Sequence, residues 1–283
     1  MEEKKCIYVW FDPVDDPESK LKAEIGEWNE SKEALLIEVR AWYCGGIDRV
    51  DRIVKALVRL NRPHWVLSVR CGCSDLVSVP ESVWELANLE DLQFDHNKLK
   101  ALSPVIAKLT KLRTLGLGWN LFEVFPEAVC QLVQLECLFV DCCQLSVLPA
   151  SFASLRNLLE LVLDFNAFEQ FPEVICESKS LMKLWLHGNK LSSLPRSFAK
   201  LRELRQFCIS YNRFKEFPAV VCELPKLEDL RVCKNQLSEL PLAITKLVRL
   251  KHLGLSENSF ASFPLFLGDL PRLFEFISSG WFN

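Results

Sequence analysis

The chain has 283 residues, with 34 Lys and Arg against 37 Asp and Glu, for a formal net charge of −3. This lack of basic excess argues against a general nucleic-acid binder. A hydrophobic fraction of 49% with 25% charged residues is typical of a globular protein. No run reaches the ~18 apolar residues that a membrane span needs, and the acidic start does not fit a secretory signal.

The first predicted elements are three short strands that recur every 30 residues: IYVWF at 7–11, IEVRA at 37–41 and LSVRC at 67–71. Residues 18–28 and 47–60 between them have helical apolar spacing. One interpretation makes these elements long helix-bearing coils that continue the following sheet and cap its end. The other makes them a separate small α/β domain. We favour the cap, because the uncovered end of a stacked protein is insoluble.

From residue 65 onward the sequence repeats every 23 residues as LxxLxLxxNxLxxLP. The repeat divides the chain into an N-terminal section, 1–64, and a repetitive section, 65–283, of about nine coils and a short closing strand. One polar position marks each coil, with a cysteine in place of asparagine once. These residues are Asn97, Asn120, Cys143, Asn166, Asn189, Asn212, Asn235 and Asn258.

Each part of the repeat has a physical cause. The LxL stretch alternates with period two, which predicts a short strand with one buried face. The asparagine amide is expected to bond the backbone of adjacent coils, where polar groups would otherwise be unpaired. Proline is expected to end the strand and to keep the descending segment extended. A single coil cannot bury its own apolar face, so stability is expected from stacking.

These motifs resemble the leucine-rich repeat family, in its short intracellular class of Ras-group and Scribble/Erbin type. The resemblance implies a solenoid, curved like a horseshoe, with a parallel sheet on a concave protein-binding face. With the cap favoured above, the predicted fold class is α/β, a leucine-rich repeat solenoid with an α/β N-terminal cap. It assigns no catalytic residue and no cofactor to this chain. Two features depart from the family pattern: Cys143 replaces an asparagine, and no paired-cysteine caps are present.

The outward strand positions form a candidate binding surface, in which aromatic side chains are flanked by charged ones. Exposed aromatic side chains with a polar rim are the usual anchors of protein interfaces. An alternative is that Trp119, Phe165 and Tyr211 fold back over the sheet edge. His96 and His252 are interpreted as separate surface residues. The predicted partner-binding residues are Trp119, Phe139, Asp141, Asp164, Phe165, Trp185, His187, Tyr211 and Arg231.

Two constellations could instead carry chemistry. Asp164, His187 and Ser210 take the same position on successive coils, in the order of a hydrolase triad. Strands ~4.8 Å apart hold such side chains parallel rather than convergent, so catalysis is disfavoured. Cys208, Cys233 and His187 supply only three of the four ligands that structural zinc requires. We therefore predict no catalytic residue, no metal and no cofactor.

The sequence thus predicts a non-catalytic protein–protein interaction module with a protein partner, no nucleic acid and no membrane span. Alternatives are a substrate-recruiting or regulatory subunit and, more remotely, a hydrolase. Self-association through the C-terminal edge near Trp281 is a further expectation, because an uncovered sheet edge favours association. Periodic cysteines at Cys130, Cys176 and Cys222 are typical of small buried reduced side chains. They favour the cytoplasm, with the nucleus as the alternative.

Overall fold

A computed structural model describes residues 6–10, 16, 19, 36–40, 51–52, 54–56, 66–73, 75–262 and 264–277. The chain divides into two compact units. The first comprises Met1–Phe122 with Pro126–Phe139, and the second comprises Glu123–Phe125 with Val140–Asn283. Each unit is built from successive coils of the chain that add one short strand to a parallel sheet.

In the first unit the strands follow chain order, and each pairs in parallel with the next. This order arises because every coil returns the chain to the same side, one strand spacing further along. The strands are β1 (Cys6–Trp10), β2 (Leu36–Arg40), β3 (Val66–Arg70), β4 (Asp91–Gln93), β5 (Thr114–Gly116) and β6 (Cys137–Phe139).

The three strands at 30-residue spacing belong to this same sheet, since β3 pairs with β4 through Val69 and Leu92. Residues 51–52 and 54–56 are helical, with Val54 buried, in the segment predicted as the second helix. Most of the predicted helix at 18–28 lies outside the described residues. The interpretation of residues 1–64 and the domain boundary at residue 64 stay predictions.

The second unit has the same architecture, with parallel pairing from each strand to the next. Its last described strand ends before Trp281, so the proposed self-association edge around that residue lies outside the described part of the chain. The strands are β7 (Glu160–Val162), β8 (Lys183–Trp185), β9 (Gln206–Cys208), β10 (Asp229–Arg231), β11 (His252–Gly254) and β12 (Glu275–Ile277).

Short 3₁₀ helices form the return side of the coils. Each begins at or just after a proline, whose fixed φ suits the first helical turn. The descending segment is expected to be extended, but the structure forms a five-residue helix there instead. The helices are Glu81–Glu85, Pro104–Lys108, Glu127–Gln131, Ala150–Ser154, Glu173–Glu177, Arg196–Lys200, Ala219–Glu223, Leu242–Lys246 and Leu265–Asp269.

The core of each unit lies between its strands and its 3₁₀ helices, where the repeat leucines are almost completely buried. The repeated asparagines line this core. The Asn212 amide nitrogen donates to the carbonyls of Leu186 (2.9 Å) and Ile209 (3.1 Å), and its oxygen accepts from the Leu191 N–H at 2.8 Å. These bonds satisfy buried backbone groups of two coils at once. Cys143 instead donates to the Asp141 carbonyl at 3.5 Å.

Candidate functional site

The strand residues that do not face the core form the candidate binding surface. In β8, buried Leu184 stands between Lys183 and Trp185, which are both half-buried. This period-two alternation places the intervening residues of every strand on the opposite face from the leucines. Side chains at the same repeat position on successive coils are neighbours on that face, because the strands pair in register.

The residue before each repeated asparagine has a left-handed backbone. Trp119, Phe165 and Tyr211 have φ of 53°, 51° and 56°, and non-glycine residues at the equivalent position of other coils have similar values. Such a conformation costs about 1–3 kcal/mol for a residue with a side chain. The coil geometry imposes this conformation at one position, and Gly188 meets it without strain.

The three aromatic rings at this position are exposed despite that cost. Trp119, Phe165 and Tyr211 retain 53%, 52% and 44% of their accessible surface. Each ring also contacts a side chain of an adjacent coil. About half of each ring nevertheless faces solvent, which leaves it available for contact.

The first unit holds two of the predicted residues. Trp119 stacks on His96, with ring centroids 4.9 Å apart and an interplanar angle of 18°. Phe139 is half-buried at the end of β6, where it pairs in register with Gly116. The other seven predicted partner-binding residues lie in the second unit.

In the second unit, four side chains form a continuous row that we call the ring row: Phe165, His187, Tyr211 and Lys234. The ring centroids of Phe165 and His187 are 4.8 Å apart, and those of His187 and Tyr211 are 4.5 Å apart. The Lys234 ammonium lies 4.3 Å from the Tyr211 ring centroid and 3.1 Å from a carboxylate oxygen of Glu257. The row therefore ends in a cation that is held by both a ring and an acid.

Beside the ring row lies a cavity of about 550 Å³, which we call the sheet pocket. Its volume is within the ~300–1,000 Å³ of typical ligand sites. Five of the predicted residues line it, together with positions on β9, β10 and β11. The lining residues are Asp164, Trp185, His187, Cys208, Ser210, Tyr211, Asp229, Arg231, Cys233, His252, Leu253 and Gly254.

One ion pair fixes the wall of the sheet pocket. The Arg231 guanidinium donates to both carboxylate oxygens of Asp229, at 3.1 and 2.9 Å, and its central carbon lies 5.6 Å from the Trp185 ring centroid. Asp229 is buried, whereas Arg231 is exposed. The bond to Asp229 raises the pKa of Arg231 further, so the guanidinium is charged at all relevant pH values.

Asp164 has the most perturbed carboxyl of the pocket. Burial raises its pKa from 3.8 to about 6, a rise to which the like charge of Asp141 adds and which the N–H of His187 opposes. That N–H donates to the Asp164 carboxylate at 2.7 Å. Burial and the nearby Lys234 lower the pKa of His187, which keeps the imidazole neutral near pH 7.

The triad suggested by the sequence does not form a hydrogen-bonded relay in the described part of the chain. Asp164 accepts from the backbone of His187 rather than from its ring. Ser210 likewise uses its hydroxyl oxygen to accept the Cys233 N–H at 3.1 Å. The first unit has the same bond between Asp95 and the Gly118 N–H, at 2.9 Å. The polar side chains of this position thus tie successive coils together.

The environment of the suggested zinc ligands Cys208, Cys233 and His187 does not favour metal binding. Burial raises the pKa of Cys208 to about 11, which disfavours the thiolate that a metal binds. Within the described ranges, no group of three or more His, Cys, Asp or Glu side chains is arranged to hold a metal ion. No helix in those same ranges combines the length and apolarity that crossing a membrane requires.

Several residues of the site were not selected from the sequence. Asp229 and His252 line the pocket, Lys234 lies at the end of the ring row, and the His96 ring stacks on the Trp119 ring. The available signal was positional, because all four occupy outward strand or turn positions of the 23-residue repeat. Repeat position does not show which side chains contact one another, so these four residues were not selected.

Comparison with known proteins identifies the repeats. Residues 105–216 match the protein family described as "Leucine-rich repeat region". No curated protein gives a significant match to the sequence. The family match and the structural likenesses together support a leucine-rich repeat protein.

Among solved structures, the chain is similar to a leucine-rich repeat protein of Leptospira interrogans, with 26% identity and a TM-score of 0.75 over 90% of this chain and 68% of that one. An internalin of Listeria monocytogenes has 19% identity and a TM-score of 0.65, covering 87% and 74%. The plant peptide hormone receptor RGFR1 in complex with RGF2 has 17% identity and a TM-score of 0.65, covering 96% and 46%.

Proposed function

We propose that this chain, whose fold is an α/β leucine-rich repeat solenoid, is a non-catalytic module. It binds a protein partner through the concave face of its strands. The observation that carries this proposal is the ring row with the adjacent sheet pocket. Exposed rings at strained backbone positions, edged by ion pairs, provide rigid apolar area with a polar rim. Glycine would be less strained at Phe165 and Tyr211, so stability alone does not favour rings there.

The fold supports this proposal in general terms. A stacked sheet presents side chains from many coils on a pre-ordered surface, so little conformational entropy is lost when a partner binds. One of the similar structures, RGFR1, is a receptor seen in complex with RGF2. The short intracellular repeat class stays a prediction.

The test is a quantitative affinity capture from a lysate of the source cells, with wild-type protein compared with a Trp185→Ala/Tyr211→Ala variant. If the sheet face is the interface, specific partners should be lost from the variant. Each anchor that is a hot spot contributes about 2 kcal/mol or more, which is about a 30-fold loss of affinity.

The matched control is Leu242→Ala/Leu265→Ala, which removes two apolar side chains of the 3₁₀ helices that are 66% and 83% exposed. This variant should retain the same partners, because it leaves the strand face intact. If both variants lose the same partners, or if neither does, the sheet face is not the interface. Circular dichroism on each variant verifies that it remains folded.

We further propose a reducing compartment, the cytoplasm or, as the alternative, the nucleus. Supporting this, Cys130, Cys176 and Cys222 are buried at one repeat position, as small apolar side chains are. Mass spectrometry of protein isolated from its source under thiol-blocking conditions should find these cysteines reduced. Native disulfides among them would contradict the proposed location.

A further inference from the structure

Two cations of the second unit are held in the same way. Arg231 lies over the Trp185 ring and binds the Asp229 carboxylate with two hydrogen bonds. Lys234 lies over the Tyr211 ring and pairs with Glu257. Each cation therefore has one aromatic ring and one carboxylate, an arrangement that stabilises a partly desolvated positive charge.

Asp164 is the second carboxylate of the sheet pocket, and within the described residues it has no cationic partner. Asp164 lines the pocket together with Trp185 and His187. The neutral backbone N–H of His187 donates to its carboxylate, and Asp141 adds a second negative charge nearby. Among the described residues, no Lys or Arg side chain forms an ion pair with Asp164.

Among the charged residues that line the pocket, the Asp164 carboxylate is therefore not neutralised by a cation. Asp229 and Arg231 neutralise one another, and His187 is held neutral. Desolvating an unpaired carboxylate is costly, and a bound cation that pairs with it offsets that cost. An anionic ligand would bind this pocket poorly, because Asp164 would repel it and because Asp229 already occupies two of the Arg231 donors.

We propose that the sheet pocket receives a basic side chain, arginine or lysine, from the bound partner, with its charge on Asp164 and its stem against Trp185 and His187. The inference rests on the proposed function, since it names the chemistry of the partner at that site. Long basic side chains suit such a site, because their methylene stems cover aromatic surface while the head group pairs with an acid. The cavity of about 550 Å³ provides the depth for that stem.

The test uses acetyl-arginine amide as the probe and acetyl-citrulline amide as its uncharged isostere, at matched ionic strength. Both are titrated into the full-length protein and followed by NMR at the Trp185 indole and the His187 ring. The arginine probe should give saturable shifts with a millimolar dissociation constant, and citrulline should bind at least about tenfold more weakly. Equal shifts from both probes, or no saturable shift from arginine, would overturn the proposal.

Two variants extend the test. Asp164→Asn removes the charge but keeps an oxygen that accepts the His187 N–H, and it should weaken arginine binding at least about tenfold. Asp95→Asn, at the same repeat position in the first unit, should bind as the wild type does. Unchanged binding in Asp164→Asn contradicts the proposal. The comparison of the two probes on wild-type protein decides the question by itself if that variant does not fold.

This result can be separated from the outcome of the partner capture. If capture depends on Trp185 and Tyr211 while arginine amide does not bind, the face is an interface and the basic-residue inference fails. If arginine amide binds at Asp164 while capture is unaffected by the double variant, the pocket recognises a cation and the proposed function fails.

Discussion

Single side chains of this protein serve both the fold and the exposed face. The Asp164 carboxylate bonds the backbone of the next coil, as Asp95 and Ser210 do in their coils. Asp164 differs in lining a pocket beside a second acid, Asp141. A neutral serine suffices for the hydrogen bond at Ser210, so the charge at Asp164 is not required by the coil.

The pH dependence of stability should reveal that charge. The pKa of Asp164 is raised from 3.8 to about 6 in the fold, chiefly by burial and then by Asp141. The stability that this carboxyl contributes is therefore full below about pH 4 and is lost as the pH rises through about 6. Ionised Asp164 costs up to about 3 kcal/mol, and Asp164→Asn should recover part of that cost above pH 6.

The measurement is urea unfolding of wild type and Asp164→Asn between about pH 4 and pH 8. The free-energy difference in favour of the variant should grow as the pH rises. The other titratable groups near Asp164 are Asp141, Cys142, His187 and Cys208, and they are the same in both proteins. A difference that does not change with pH would mean that the effect is steric rather than electrostatic.

At the scale of the element, one turn position per coil constrains the sequence. Between strand and asparagine the chain adopts positive φ in every coil from Cys73 to Glu257. Glycine occurs there only at Gly188, where φ is +69° and a Cβ would lie 2.6 Å from the Phe165 ring. The absent side chain therefore gives room to the ring of the preceding coil.

Gly188→Ala should lower the free energy of unfolding by about 1–3 kcal/mol, because it adds backbone strain and displaces Phe165. Gly268→Ala is the matched control, since a Cβ there meets no atom within 4 Å. That control should change stability by less than about 0.5 kcal/mol. Chemical denaturation measures both, and equal effects would contradict the role assigned to Gly188.

At the scale of the whole molecule, ion pairs join successive coils along the surface. Glu228 lies between Arg205 at 3.2 Å and Lys251 at 2.6 Å, and the bond to Lys251 lowers the pKa of Glu228. Exposed pairs of this kind contribute ~0–1 kcal/mol each. The stacking of buried leucines, phenylalanines and thiols therefore provides most of the stability in each unit.

The thiols offer a molecule-wide check of this packing. Burial raises the pKa of Cys208 and of Cys222 from 9.0 to about 11, whereas Cys137 and Cys233 are half-buried. Alkylation of native protein near pH 8, followed by mass spectrometry, should modify Cys137 and Cys233 first. Cys208 and Cys222 should react about a hundredfold more slowly than a thiol with the ordinary pKa of 9.0, because the thiolate is the reactive form. Uniform labelling would mean that the coils open readily.

Much of the architecture was predictable because it depends on local periodicity. The alternation of Lys183, Leu184 and Trp185 predicts which side chain is buried, and the burial of Leu184 between two half-buried residues confirms it. The 3₁₀ helices after the prolines were missed, because a five-residue helix leaves too short a pattern to detect. The site was predicted in part, since repeat position indicates which residues face outward but not which of them touch.

By itself, the sequence determined the 23-residue repeat, the buried leucines and the face on which Trp185, His187 and Tyr211 lie. Only the tertiary structure decided that Arg231 binds Asp229 over Trp185, that Lys234 closes the ring row, and that Asp164 pairs with no cation among the described residues. The physical reason is that burial of a leucine is set by its own coil, whereas the pairing and desolvation of a charge depend on atoms of neighbouring coils.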